Sequence, residues 1–133
     1  MVSENASAHT TVWWGMLAAQ FIYAGILLFA LPGPPPAQDL VLPAVLAALG
    51  IVQALAAQVL WVQIKRGAFA GRPAANGTPL PLPIVAWALD ESAGVFGLVI
   101  AFLGAPQAWS FTLFGVTVVA LLLNPYWTLE EAA

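Results

Sequence analysis

Cysteine is absent from this chain, which excludes disulfides and thiolate metal sites. Basic residues are nearly absent: Lys65, Arg66 and Arg72 are the three in 133 residues, so no nucleic-acid partner is expected. Charge of either sign is scarce, at 7% of residues against 62% hydrophobic. That balance excludes an ordinary soluble domain. Histidine occurs once, as His9, in a polar N-terminal stretch that reads as a solvated tail. No histidine falls in an apolar run, so no haem or chlorophyll ligand is expected there. No Lys or Arg precedes the first apolar run, which argues against a cleaved leader peptide. Nucleophile–base pairs, metal-ligand clusters and phosphate-cradling loops are lacking too. The expectation is therefore a protein that is not an enzyme, with no cofactor beyond a proton or a sodium ion.

Long apolar runs dominate what is present. A membrane-spanning helix needs about 20 mostly apolar residues. Four segments qualify, at 12–31, 40–64, 83–104 and 107–124. They predict an all-α polytopic membrane protein, one domain over 1–133, with four transmembrane helices in a bundle. Asp39 is placed to cap the second helix, and Pro83 suits the first turn of the third. Pro32-Gly33-Pro34-Pro35-Pro36 makes a tight connection, Ala105-Pro106 another, and Pro125 stops the last span. The long connection, residues 65–82, holds all three basic residues. Positive loops stay in the cytoplasm, so this loop and both termini are expected on the cytoplasmic side of the inner membrane. Trp13, Trp14, Trp61, Tyr126 and Trp127 fall at that same face, as an interfacial aromatic belt would.

The third span carries two acids, Asp90 and Glu91. A carboxylate at the bilayer centre costs about 2.5–3.5 kcal/mol on insertion scales, so it marks an ion or proton site by default. At about 1.5 Å per residue, Glu91 lies about 12 Å beyond Pro83. On a helix of about 3.6 residues per turn, Ala86, Asp90, Ala93, Gly97, Ala101 and Gly104 share one stripe. Small residues at this spacing let another helix approach closely. Ala93, Gly97 and Ala101 are therefore expected to pack one copy of the chain against the next. The second span supplies Gln53, Gln58 and Gln63, and the first supplies Gln20. A glutamine amide can donate to a carboxylate or offer its oxygen to a cation.

The run Glu91-Ser92-Ala93-Gly94-Val95-Phe96-Gly97-Leu98-Val99-Ile100-Ala101 resembles the carboxylate-bearing helix of the c subunit, or proteolipid, of rotary ATP synthases and ATPases. Members of that family show a Glu, then small or hydroxyl residues, then an aromatic five positions on. Sodium-coupled members share a Glu-Ser pair and a glutamine on the preceding helix. Gln58, 33 residues before Glu91 (91 − 58), suits that place, and Arg72-Pro73 resembles the family's polar loop. The chain departs from the pattern in four ways. Its second span has alanines and only Gly50 where the family repeats glycine, Phe96 carries no hydroxyl, Asp90 is an extra acid, and two further spans flank the hairpin. The layout also resembles small four-span bacterial membrane proteins.

The resemblance implies a lipid-embedded homo-oligomer, within a larger membrane complex, in which Glu91 binds a proton or sodium ion aided by Ser92, Gln58 and Asp90. The competing expectation is a structural or accessory subunit of a membrane complex whose acids are neutral and hydrogen-bonded.

Overall fold

The computed structural model describes residues 2–30, 36–68 and 82–131, with side chains at 7–30, 36–68 and 82–129. Every regular element among them is helical. Helix α1 runs Val2–Gly25 and continues through a π-helical turn, Ile26–Ala30. Helix α2 is Val41–Lys65, α3 Leu82–Phe102 and α4 Gln107–Leu123, and a short α5, Trp127–Glu131, follows. Four stretches are long and apolar enough to cross a membrane: Ser7–Ala30, Val41–Lys65, Leu82–Phe102 and Gln107–Leu129. Arg72, Pro73 and the rest of 69–81 lie outside the described residues, as do positions 32–35 of the proline-rich turn.

The helix ends follow from local chemistry. Asp39 accepts a hydrogen bond from the Val41 N–H at 2.8 Å, so its carboxylate does satisfy a free donor at the start of α2. Gly67 and Gly104 adopt φ of 72° and 80°, where glycine alone is unstrained. Around each, two reverse hydrogen bonds close the helix: Gly67 N–H to Ile64 with Ala68 N–H to Gln63, and Gly104 N–H to Ala101 with Ala105 N–H to Ile100. Pro106 then starts α4. Helix α1 begins ten residues earlier than the apolar run suggests (12 − 2), because an established helix extends at one hydrogen bond per residue through polar positions as well. His9 is thus part of the helix, half-buried and edge-on to Trp87 with ring centroids 5.8 Å apart, and not a solvated tail residue.

The helices alternate in direction. The Trp13 indole donates to Leu121 O at 2.9 Å, and Lys65 Nζ reaches Asn124, so the starts of α1 and α3 and the ends of α2 and α4 share one end of the bundle. Leu27 packs on Ala101 and Phe114, and Ile100 packs with Leu46, at the opposite end. Helix α3 touches all three other spans. The outward surface is apolar, with Phe21, Ile22, Leu55, Val59, Val119 and Leu123 exposed, as a lipid-facing surface should be. The tryptophans depart from a simple belt. Trp13, Trp61 and Trp87 are buried in the interior with Ala86 and Leu121, while Trp14 and Trp127 remain on the outside. An indole can enter the core where its N–H finds a carbonyl, as Trp13 does at Leu121 and Trp87 does at Asn124.

Candidate functional site

The inner face of α3 is made of small residues, and Asp90 is the polar member of that face. Ala86, Asp90 and Ala93 are completely buried, and Gly97 and Ala101 are buried beyond them. The space beside them is taken by the chain's own helices. A Cβ on Gly97 would sit 2.9 Å from the Phe114 ring and 3.1 Å from the Ser110 carbonyl oxygen, and one on Gly50 would sit 3.3 Å from the Ala93 backbone. Ala93, Gly97 and Ala101 therefore pack inside the bundle, against α2 and α4. They do not form an outward groove for a second copy.

Asp90 lies eight residues from Leu82 (90 − 82) and twelve from Phe102 (102 − 90), so about 12 Å and 18 Å from the two ends of α3. Its Oδ1 accepts from Gln58 Nε2 at 3.5 Å, and its backbone carbonyl accepts from the buried Thr117 hydroxyl at 2.9 Å. Its Oδ2 is buried and has no hydrogen-bond partner. The Trp61 indole N–H makes no hydrogen bond of ordinary length, but it is a neighbouring donor to this carboxyl.

Gln58 is itself held. Its Oε1 accepts from Asn124 Nδ2 at 2.9 Å, and Asn124 Oδ1 accepts from Lys65 Nζ at 2.8 Å. Asn124 stands at the end of α4, where Pro125 stops the helix. Its Nδ2 also reaches Ala120 O at 3.3 Å, and its backbone carbonyl accepts from the Trp87 indole at 2.9 Å. One asparagine thus joins α2, α3 and α4. A row of polar side chains, Lys65, Asn124, Gln58 and Asp90, leads from the end of the bundle into its interior.

Glu91 has different company. It is half-buried, on the α1 side of α3, and its Oε1 accepts from the Tyr23 hydroxyl at 3.5 Å. Ser92 turns toward α2, where its hydroxyl reaches Gln53 Oε1 and the carbonyl of Leu89 one turn back. The expected trio of Glu91, Ser92 and Gln58 is therefore not assembled. Gln58 binds Asp90, Ser92 binds Gln53 and Glu91 binds Tyr23. The reason is rotation about the α3 axis. Adjacent residues on a helix point about 100° apart, so the two acids cannot both face the junction of α2 and α4.

Gln20 is buried on α1 with neither amide atom hydrogen-bonded. Its side chain fills the space at Gly94, so a side chain added there would require the Gln20 amide to move. Position 94 is one turn beyond Asp90. The oxygen atoms that are buried and without a partner are Asp90 Oδ2, Gln20 Oε1 and the Ser110 hydroxyl. No group of three His, Cys, Asp or Glu residues that could hold a metal ion occurs among the described residues. Hard divalent cations take about six or more oxygen ligands. The Gln58 and Gln53 oxygens each already accept one hydrogen bond, from Asn124 and Ser92.

Sequence reasoning named Asp90, Glu91, Ser92 and Gln58 but missed Tyr23, Asn124 and Thr117, and took Lys65 only as a topology marker. Asn124 carried a readable sign, since an asparagine just before a proline ends an apolar run with a side chain free to bond. Comparison with known protein families, with curated proteins and with solved structures finds no match for this chain.

Proposed function

We propose that this chain is a membrane-embedded, proton-handling protein whose proton site is Asp90, with Gln58 as its hydrogen-bond partner and Glu91 as a flanking acid. The observation that carries this reading is the carboxyl of Asp90: completely buried at mid-span, with one oxygen accepting from an amide and the other unpartnered. An ionisable group kept at such a depth is functional by default, because it is costly to insert. The likeness of residues 91–101 to the c-subunit helix supports ion handling, although the acid that faces the interior is Asp90 and not Glu91. Any contact between copies would use the exposed apolar faces of α1, α2 and α4, since the small-residue stripe is filled. The gathering of the basic residues at Lys65, Arg66 and Arg72 supports a cytoplasmic position for the Lys65 end of the bundle, in the inner membrane.

The test follows carboxylic-acid C=O absorption across pH, by infrared spectroscopy of the protein in nanodiscs. A band that titrates in the wild type, persists in Glu91→Gln and vanishes in Asp90→Asn is the expected result. No titrating band, or one that Asp90→Asn leaves in place, overturns the reading.

One observation favours a second reading, an accessory subunit with hydrogen-bonded, non-titrating acids. Asn124 ties three helices together through its amide and carbonyl, as purely structural interhelical bonds would. Under that reading Asp90→Asn folds and behaves like the wild type at every pH.

A further inference from the structure

The polar row from Lys65 to Asp90 has a direction. A lysine ammonium has three donors and no acceptor, so the atom of Asn124 that faces it must be the amide oxygen. The Asn124 NH2 then faces Gln58, whose facing atom must accept and is therefore Oε1. That leaves the Gln58 NH2 to face the carboxyl of Asp90. Every donor in the row points the same way, from the charged end of α2 toward the buried acid. The Lys65 ammonium, itself exposed, holds this orientation through its short bond to Asn124, and the longer bond from Asn124 Nδ2 to Ala120 O, at 3.3 Å, supports it. Amides hold their protons too firmly to pass them along, so the row transmits polarisation and not protons. Hydrogen bonds in series polarise one another, and in a low dielectric this influence is felt along the chain.

We infer that Lys65 is a positioning residue for Asp90: through Asn124 and Gln58 it presents an N–H donor to the carboxyl and sets how readily that acid gives up its proton. The inference rests on the proposed function of Asp90 as the proton site. The other titratable groups that face this region among the described residues are few. Helix α1 brings Tyr23, which bonds Glu91, and His9, which lies against Trp87. Helix α3 brings Glu91 itself. Helix α4 brings only neutral groups, Thr117 and Asn124. The ammonium of Lys65 is therefore the cation linked to Asp90 by hydrogen bonds. Without it, Asn124 is held only by the 3.3 Å bond to Ala120 O; once the amide turns over, Gln58 can present its oxygen to the carboxyl.

The experiment measures the pH midpoint of the Asp90 band, defined as the carboxylic-acid absorption that Asp90→Asn removes, in full-length protein in nanodiscs. Lys65→Met keeps the apolar stem and removes the donor. It should raise proton affinity about tenfold and move the midpoint upward by about one pH unit. Lys65→Arg restores a charged donor and should stay within about 0.3 of a unit of the wild type. Asn124→Ala should move the midpoint as Lys65→Met does, and the double variant should move it no further, because the two residues act through one path. Lys65 is exposed, and unchanged tryptophan fluorescence from Trp61 and Trp87 would confirm that its variants fold. A Lys65→Met midpoint equal to the wild-type value overturns the relay while leaving Asp90 as the proton site. So does a Lys65→Arg shift as large as that of Lys65→Met, or an additive double variant. If no band in the wild type answers to Asp90→Asn, the proton site itself is wrong and the relay falls with it.

Discussion

Asp90 and Glu91 are consecutive acids on one helix, yet the bundle treats them differently. Asp90 lies on a face where every neighbour is small and every gap is closed by α2 or α4, and its partner is held by a further hydrogen-bonded side chain. Glu91 lies on the flank toward α1, half-buried, with a single long hydrogen bond from Tyr23. The difference teaches that the depth of an acid along a membrane helix does not by itself define its chemistry. Rotation about the helix axis decides which of two adjacent carboxyls is fully buried against α2 and α4 and which stays half-buried on the flank toward α1. The same contrast separates the inner face of α3 from the outward faces of the bundle, and substitutions can break it or sharpen it.

The largest effect is expected where the inner face is tightest. Gly97→Leu places a Cβ 2.9 Å from Phe114 and 3.1 Å from both Leu113 Cβ and the Ser110 backbone oxygen, and neither of the last two can swing aside. Overpacking of this kind costs about 3 kcal/mol or more. Gly115, on the outward side of α4, has nothing within 4 Å of the same position. Gly115→Leu should therefore be neutral, or stabilising by up to about 0.8 kcal/mol through helix propensity. Thermal unfolding in detergent compares the two. Equal melting temperatures would mean that α3 and α4 do not meet at Gly97.

A smaller effect is expected where the support of Asp90 is removed but the packing is kept. Asn124→Ala takes away an acceptor 2.8 Å from the Lys65 ammonium and a donor 2.9 Å from Gln58 Oε1. The ammonium is exposed and can turn to water, whereas the half-buried Gln58 oxygen, beside an apolar groove, loses its donor. Leaving one such group unsatisfied costs about 1–3 kcal/mol, so a loss near 2 kcal/mol is expected in the same unfolding measurement. A loss below about 0.5 kcal/mol would show that the row contributes orientation without stability.

Much of the architecture was legible in advance, and the reasons are physical. Hydrophobic length marks a span because a bilayer has a fixed thickness, and the four apolar runs matched four helices to within a few residues at most ends. Gly67 and Gly104 close α2 and α3 at positive φ, where glycine is unstrained, and the apolar runs end beside them. The start of α1 was not legible, since hydropathy does not report how far a helix continues through polar residues. The stripe of Ala86, Asp90, Ala93 and Gly97 was read as packing one copy against the next; it is buried within one chain and contains the buried acid. What could not be read was its partner. Small residues invite a close helix without saying whose, and here α2 and α4 of the same chain supply it. The emphasis on Glu91 came from the likeness to c subunits, which fixes residue types along a helix but not its rotation in a new bundle. Asn124 and Tyr23 were missed because their roles depend on contacts 66 and 68 residues away in sequence.

The smallest effect is expected on the flank. The bond from Tyr23 to Glu91 is 3.5 Å long, at the edge of useful geometry. The Tyr23 ring also packs near Phe114, with ring centroids 6.2 Å apart, and Tyr23→Phe preserves that contact. Glu91 is half-buried, whereas Asp90 is completely buried. Tyr23→Phe should thus change stability by less than about 0.5 kcal/mol, within the range of ordinary surface substitutions. It should also leave the Asp90 band at its wild-type midpoint, because Tyr23 has no hydrogen bond in the row from Lys65. A loss above about 1 kcal/mol, or a moved midpoint, would mean that the two carboxyls act as one coupled site. The distinction between inner face and flank would then have to be given up.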